Sequence, residues 1–233
     1  MLRCFLFISV FAISTFVSLS GESSYSHVDC NGVPLDQKLI ELLDYPNGVF
    51  IEAGANDGVK QSNTKRLEEF YGWRGILVEP SENLYDTLVT NRPQSHCFLC
   101  ALGSFEEDNT YAVGDFNGSL MSSINGVRQN NSSNQTVLVR SLQSIIDEVG
   151  FEHIDLLSLD TEGYELNILQ GIDFNKVSFG YLLIEIYTHQ FEEIVSFLEN
   201  HGYELVENFS NYSLETNPFW DGTHNDYLFK KVK

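Results

Sequence analysis

"FIEAGANDGV", residues 50–59, decides how the rest of the chain is read. It opens on an apolar run of strand type, then crowds Gly54, Asn56, Asp57 and Gly58 into a tight loop. Glu52 sits inside the run, where a purely structural strand would take another apolar residue. The loop matches neither common phosphate-gripping pattern. "GANDGVK" lacks the G-x-x-x-x-G-K-[ST] spacing and the Ser/Thr after its lysine. G-x-G-x-x-G is incomplete too, because Asn56 replaces the second glycine and Asp57 would face a pyrophosphate.

Outward from this loop, strands and helices alternate. "VPLDQKLIELLDYPNG" reads as an amphipathic helix stopped by Pro46 and Gly48, and "GVFIEAG" as the strand after it. "SNTKRLEEFYGW" is a helix with Ser62 as cap and Gly72 as stop, followed by the strand "RGILVEP". The helix "SENLYDTLVTN" and a strand "SHCFLCALG" come next, then an irregular or hairpin stretch, "SFEEDNTYAVGDFNG". In the second half, "SLQSIIDEVG" places Leu142, Ile145, Ile146 and Val149 on one helical face. "HIDLLSLD" and "FGYLLIEIY" are strands flanking the helix "EGYELNILQG". "HQFEEIVSFLENHG" is a further helix, and "YELVENFSN" and "NDYLFKKV" are closing strands separated only by a loop. This order predicts an α/β fold: a mostly parallel seven-stranded sheet, helices on both faces, and an antiparallel pair at the C-terminal edge. No internal repeat or linker interrupts residues 35–233, which read as one domain after a short segment at 21–34.

In such sheets, ligands sit beyond the carboxyl ends of the strands. The chemistry-bearing residues cluster there: Glu52 to Gly58, Glu79, Ala101 to Gly103, Asp160 to Gly163, and Glu185. Glu79 lies 21 residues beyond Gly58, where an acid accepts hydrogen bonds from the ribose hydroxyls of an adenine nucleoside. Acids without a phosphate loop suit S-adenosylmethionine, which offers a ribose, an ammonium and a sulfonium.

The stretches "FIEAGANDGVKQSNTKRLEEFYGWRGILVEP", "ALGS", "VRSLQSIIDEVGFEHIDLLSLDTEGYELNILQGI" and "LLIEI" resemble the FkbM-type methyltransferases, a Rossmann-like branch of the S-adenosylmethionine-dependent enzymes. The resemblance spans about residues 47–231 and rests on D-x-E-G-x-E together with an upstream G-x-N-x-G. It implies O-methylation of a hydroxyl, often on sugars or small polyols. The chain departs from many bacterial members at Ser158, where they carry a lysine two places before the motif aspartate.

Residue by residue, Glu52 and Asp57 are candidates to hold the methionine amine, with helix capping the alternative for Asp57. Gly54 and Gly58 would admit the cofactor closely, with Ala55 and Asn56 between them. Glu79 is the ribose acceptor, Ala101 and Leu102 give backbone contacts to adenine, and Asn63 is a candidate pocket residue. Asp160, Glu162 and Glu185 are placed at the methyl acceptor, Asp160 as general base and Glu185 as its competitor. No metal is assigned, although three clustered acids could bind a divalent ion through oxygen. His189 and His224 stand close enough in sequence to reach a strand-end pocket, and Trp220 is a candidate lid contact.

Charge and compartment narrow the partners. The 233-residue chain carries 33 acids against 13 bases, a net charge of −20, which disfavours nucleic acid. Residues 1–20 have Arg3 before an apolar run and small residues at the end, the layout of a secretory signal peptide, or else of a short membrane anchor. N-x-S/T triplets begin at Asn117, Asn130, Asn131, Asn134, Asn208 and Asn211, in keeping with a glycosylated protein of the secretory pathway. Beyond the leader Cys30, Cys97 and Cys100 remain, enough for one disulfide from Cys30 and a free thiol. Two functions stay open: an O-methyltransferase acting on a small-molecule or glycan hydroxyl, and a catalytically silent methyltransferase-like domain used in binding or trafficking.

Overall fold

Val49–Ala53 (β1) alternates its side chains across the sheet plane, so Phe50 and Ile51 enter different apolar layers. The computed structural model describes residues 24–114, 116 and 135–232. The leader region and the triplets at Asn117, Asn130, Asn131 and Asn134 lie outside the described residues. Before β1, Leu35–Leu42 (α1) buries Leu35 and Leu39. After it come Lys65–Tyr71 (α2), Arg74–Glu79 (β2), Glu82–Asn91 (α3) and His96–Leu99 (β3). Short Ala101–Gly103 (β4), Thr110–Gly114 (β5) and Gln135–Ser141 (β6) follow. The second half runs Leu142–Val149 (α4), His153–Leu159 (β7), Glu165–Leu169 (α5), Ser178–Tyr187 (β8), Phe191–Asn200 (α6), Tyr203–Asn208 (β9) and His224–Lys231 (β10).

Seven strands form one sheet in the order β3-β2-β1-β7-β8-β10-β9. Pairing is parallel from β3 to β8, and β10 runs antiparallel to both β8 and β9. The expected antiparallel C-terminal pair is therefore present, at the edge predicted. Leu39, Leu67 and Leu88 of α1, α2 and α3 join Phe50 and Leu77 in one buried layer. Ile145, Ile168 and Ile194 of α4, α5 and α6 join Ile51 and Ile76 in the opposite layer. Helices thus cover both faces, as a sheet of largely apolar strands requires. None among the described residues is long and apolar enough to cross a membrane.

Two local readings are corrected. "SHCFLCALG" is not one strand but two, because the chain leaves the main sheet at Cys100 and β4 pairs with β6 in a separate three-stranded sheet, β4-β6-β5. The β6 strand "QTVLVRS" follows a polar stretch and was not anticipated. It pairs antiparallel with β5, which resolves the uncertain stretch after Gly103 as a short 3₁₀ turn and a strand. Cys30, Cys97 and Cys100 are free thiols, so the disulfide that Cys30 could form is not made among the described residues.

The loop between β1 and α2 is anchored by Arg92, which is fully buried at the C-terminal end of α3. Its Nε donates to Glu68 at 2.8 Å, Nη1 to the Gly58 carbonyl at 3.0 Å and to Ser62 Oγ at 3.2 Å, and Nη2 to Thr64 at 3.0 Å. Glu52 stands 3.6 Å from the same guanidinium. Removing one partner of a buried pair leaves the other charge uncompensated, so Arg92→Ala should lose about 3–5 kcal/mol of unfolding free energy in urea titration. Arg92→Lys should recover only part of that, because an ammonium cannot reproduce the planar fork.

Candidate functional site

The carboxyl ends of β1, β2 and β7 meet at one hollow of about 750 Å³, mouth to solvent included. Its lining includes Gly54 and Asn56 after β1, Glu79 at the end of β2, Ala101 and Leu102 of β4, and Asp160 and Glu162 after β7. Gly54 closes the floor. Its backbone is left-handed at φ +82°, and a Cβ there would stand 1.9 Å from the Asp160 carbonyl oxygen, so no larger residue fits. The Gly54 and Ala55 amides both donate to the Val78 carbonyl, and the Asp160 amide donates to Ala53. These bonds lock three strand ends together.

Glu79 is buried, and its carboxylate is held by backbone donors on both sides. Oε2 accepts from the Asn56 amide at 2.9 Å and Oε1 from the Ser81 amide at 2.9 Å. Burial outweighs these two bonds and pushes its pKa up to about 7. The carboxylate faces a cavity whose other walls are partly apolar, with Leu102, Phe116 and Ile168 among them. An acid acceptor beside apolar walls, with no glycine-rich phosphate loop, suits a phosphate-free nucleoside. The residues present therefore fit S-adenosylmethionine: Glu79 for the ribose, Ala101 and Leu102 for the base, and Asn56 and Gly54 along the backbone side.

Several predicted contacts serve the scaffold instead. Glu52 does not line the hollow. It accepts from Ser62 Oγ at 2.8 Å, the Asn63 amide at 2.6 Å and Thr64 Oγ1 at 2.8 Å, and so holds the loop that Arg92 also grips. Asp57 neither lines the hollow nor caps α2: it accepts from the Val59 and Lys60 amides at 2.9 and 2.7 Å and so folds its own loop. Gly58 is needed by packing, since a Cβ would come 2.6 Å from Leu88 and 2.7 Å from Arg92. Ala55 packs in the layer of α1 to α3. Asn63 turns its Nδ2 to Ser158 Oγ at 3.0 Å. Ser158 pairs with Glu52 across the β1–β7 register, accepts from Asn63 Nδ2 and does not line the hollow, so it is a scaffold position here.

Two of the lining acids, Asp160 and Glu162, cluster with Glu185, which does not itself line the hollow. One carboxylate oxygen from each of Asp160, Glu162 and Glu185 lies within 4.8 Å of the others. Burial and the neighbouring negative charges raise the pKa of Asp160 and Glu185 well above the usual range. Tyr187 donates to Glu162 at 2.8 Å, and His224 Nε2 sits 3.2 Å from Glu185. Glu162 adopts φ +60°, a left-handed backbone uncommon for a residue with a Cβ. Glu165 is a cap partner and not a solvated acid: it is fully buried and accepts from the Thr161 and Gly163 amides. His189 is exposed, and Trp220 does not line the hollow but donates its indole N–H to the His224 carbonyl at 3.0 Å.

Two residues here escaped sequence reading. Asp226 stands directly opposite Glu185 in the β8–β10 register, and His27 from the N-terminal segment binds Asp226 at 3.0 Å. Burial alone would lower the His27 pKa, but the bond and charge of Asp226 raise it on balance. No spacing signal links these positions. The antiparallel register that joins them is set by the folded sheet.

Comparison with known proteins follows the same lines. The family model described as the methyltransferase FkbM domain matches residues 52–205. No curated protein matches the chain. Among solved structures, it is similar to a TehB-like SAM-dependent methyltransferase from Corynebacterium glutamicum, at 14% identity and TM-score 0.45, covering 91% of this chain and 90% of that one. It is also similar to the precorrin-6y C5,15-methyltransferase of Geobacter metallireducens, at 12% identity and TM-score 0.48, covering 85% and 87%. A third is TrmK of M. capricolum with S-adenosylhomocysteine, at 11% identity and TM-score 0.44, covering 84% and 68%. The sheet order, the helices on both faces and the match over most of the domain agree: this chain belongs to the FkbM methyltransferase family, whose cofactor is S-adenosylmethionine.

Proposed function

We propose that the protein is an O-methyltransferase that methylates a hydroxyl of a glycan or small polyol in the lumen of the secretory pathway. The observation that carries this reading is the shared hollow: Glu79, held by two backbone amides, and Asp160, at the head of the acid cluster, line the same cavity. When bound, S-adenosylmethionine would supply a methyl carbon on a cationic sulfur, open to in-line attack by an alcohol oxygen with the thioether sulfur of S-adenosylhomocysteine as leaving group. Glu79 binds the ribose and thereby fixes where that carbon lies. Apolar Leu102, Phe116 and Ile168 exclude water from the base end. Asp160 orients the acceptor hydroxyl and takes its proton, which avoids a protonated ether product. Most of the rate gain comes from holding oxygen and carbon in line at near contact, a task for rigid strand ends.

The location in the secretory pathway is supported by the apolar leader and by the triplets at Asn208 and Asn211, the second of which is exposed. Reaction at a glycan suits that compartment and the acidic, oxygen-binding character of the acceptor end.

Calorimetric titration with S-adenosylmethionine should show one site per chain, and Glu79→Ala should abolish the heat. No heat from the parent protein would favour a silent binding module instead. Because burial pushes the Glu79 pKa up to about 7 and ribose hydroxyls donate more strongly to the ionised carboxylate, which offers both oxygens, affinity should rise as pH increases from 6 to 8, by up to about tenfold. Glu79→Gln should flatten that dependence. With an acceptor in hand, Asp160→Asn should keep donor affinity and reduce methyl transfer by about 10²–10⁴-fold. Unchanged turnover would remove Asp160 as base.

A further inference from the structure

The acids beside the donor cavity are more numerous than proton transfer needs, and one of them is incompletely satisfied. Glu185 is 7% exposed, and its Oε2 has no hydrogen-bond partner. An unmatched buried carboxylate oxygen costs free energy unless something fills the space it faces. One carboxylate oxygen of Glu185 lies within 4.8 Å of an oxygen from each of Asp160 and Glu162. Asp226 adds a further carboxylate directly across the strand pair, where like charges are unfavourable. His27 answers Asp226 and His224 answers one oxygen of Glu185, yet the face shared by the three carboxylates holds oxygen acceptors.

We infer that Asp160, Glu162 and Glu185 form a site for a hard divalent cation of the size of Ca²⁺, and that this ion holds an acceptor with two neighbouring oxygen atoms. The ligand chemistry is oxygen only, which excludes a preference for soft metals. Ca²⁺ holds oxygens at about 2.3–2.6 Å in flexible geometry, so three carboxylate oxygens within 4.8 Å of one another can share one ion. Mg²⁺ demands near-ideal octahedral geometry, keeps several waters and is usually held by only one or two carboxylates, so three protein carboxylates favour Ca²⁺. Three protein oxygens leave at least about three positions open on such an ion. A vicinal diol, or a hydroxyl beside a carbonyl, fills two of them and sets one hydroxyl next to Asp160. Contact with the ion also lowers that hydroxyl's pKa, so a carboxylate suffices to take its proton. The acceptor half of this inference rests on the donor reading given above; the cation half does not.

The test uses the full mature chain stripped with EDTA and titrated with CaCl₂ in a calorimeter. One site per chain is expected, with affinity at least tenfold weaker in Glu185→Gln, which keeps the shape and removes one charge. Thermal unfolding supplies a second reading that separates a lost site from a lost fold. In EDTA, Glu185→Gln should melt at or above the parent's temperature, because repulsion is relieved. In Ca²⁺ the parent should gain stability and the variant should not. A parent that binds no Ca²⁺, or binds it equally well in Glu185→Gln, overturns the site. Donor binding, titrated in EDTA with Glu79→Ala as control, is scored separately, so failure of either half is recognised on its own. A parent chain that binds Ca²⁺ but shows no change in affinity for vicinal diol sugars on adding the ion overturns the acceptor half.

Discussion

A guanidinium with no exposure to water organises the ligand-bearing end of this fold. Arg92 reaches from α3 across to Glu68 on α2, to the Gly58 carbonyl, and to Ser62 and Thr64 in the loop between them. A planar fork with five donors satisfies several acceptors in one fixed geometry, which a flexible ammonium cannot. Glu52, at the same guanidinium, carries the constraint back into β1. The loop is thus tied at both ends, and the Asn56 amide is delivered to Glu79 as a consequence. The loop at the Glu79 end of the hollow is held from behind by a buried charge.

The carboxylates of the strand ends divide into two populations by what answers them. Glu52, Asp57 and Glu165 are met by backbone amides and hydroxyls and serve the scaffold. Asp160, Glu162 and Glu185 face one another, and their mutual repulsion is a standing cost to the fold. Such a cost is tolerated where it prepares a site, and the left-handed backbone at Glu162 belongs to the same account. Glu79 lies between these extremes. Two amides hold it, yet it remains buried enough to titrate near neutrality.

Periodicity made most of the architecture legible. Leu142, Ile145 and Ile146 sit on a buried helical face as their spacing implied, and the apolar strands lie in the central sheet with helices on both sides. Legibility failed where a strand changed partners. Cys97 to Gly103 looks continuous, but β3 pairs with β2 and β4 pairs with β6, and no local pattern records that switch. β6 was hidden by the polar stretch before it. At the site, Gly54, Asn56, Glu79, Ala101, Leu102, Asp160 and Glu162 share the hollow, and Glu185 joins through the acid cluster.

From the sequence alone came the alternation of strand and helix, the acids at successive strand ends, the lack of a phosphate loop and the family resemblance. All of these are local properties of residue type and spacing. Which acid does what was decided by tertiary structure. Glu52 and Glu79 look alike in sequence, each an acid in or at the end of an apolar strand, yet one is consumed by Ser62, Asn63 and Thr64 while the other opens onto the cavity. Asp226 and His27 enter only through the register of β10 and the path of the N-terminal segment. A carboxylate's role depends on the donors and charges within a few ångströms of it, and those neighbours are brought from distant parts of the chain.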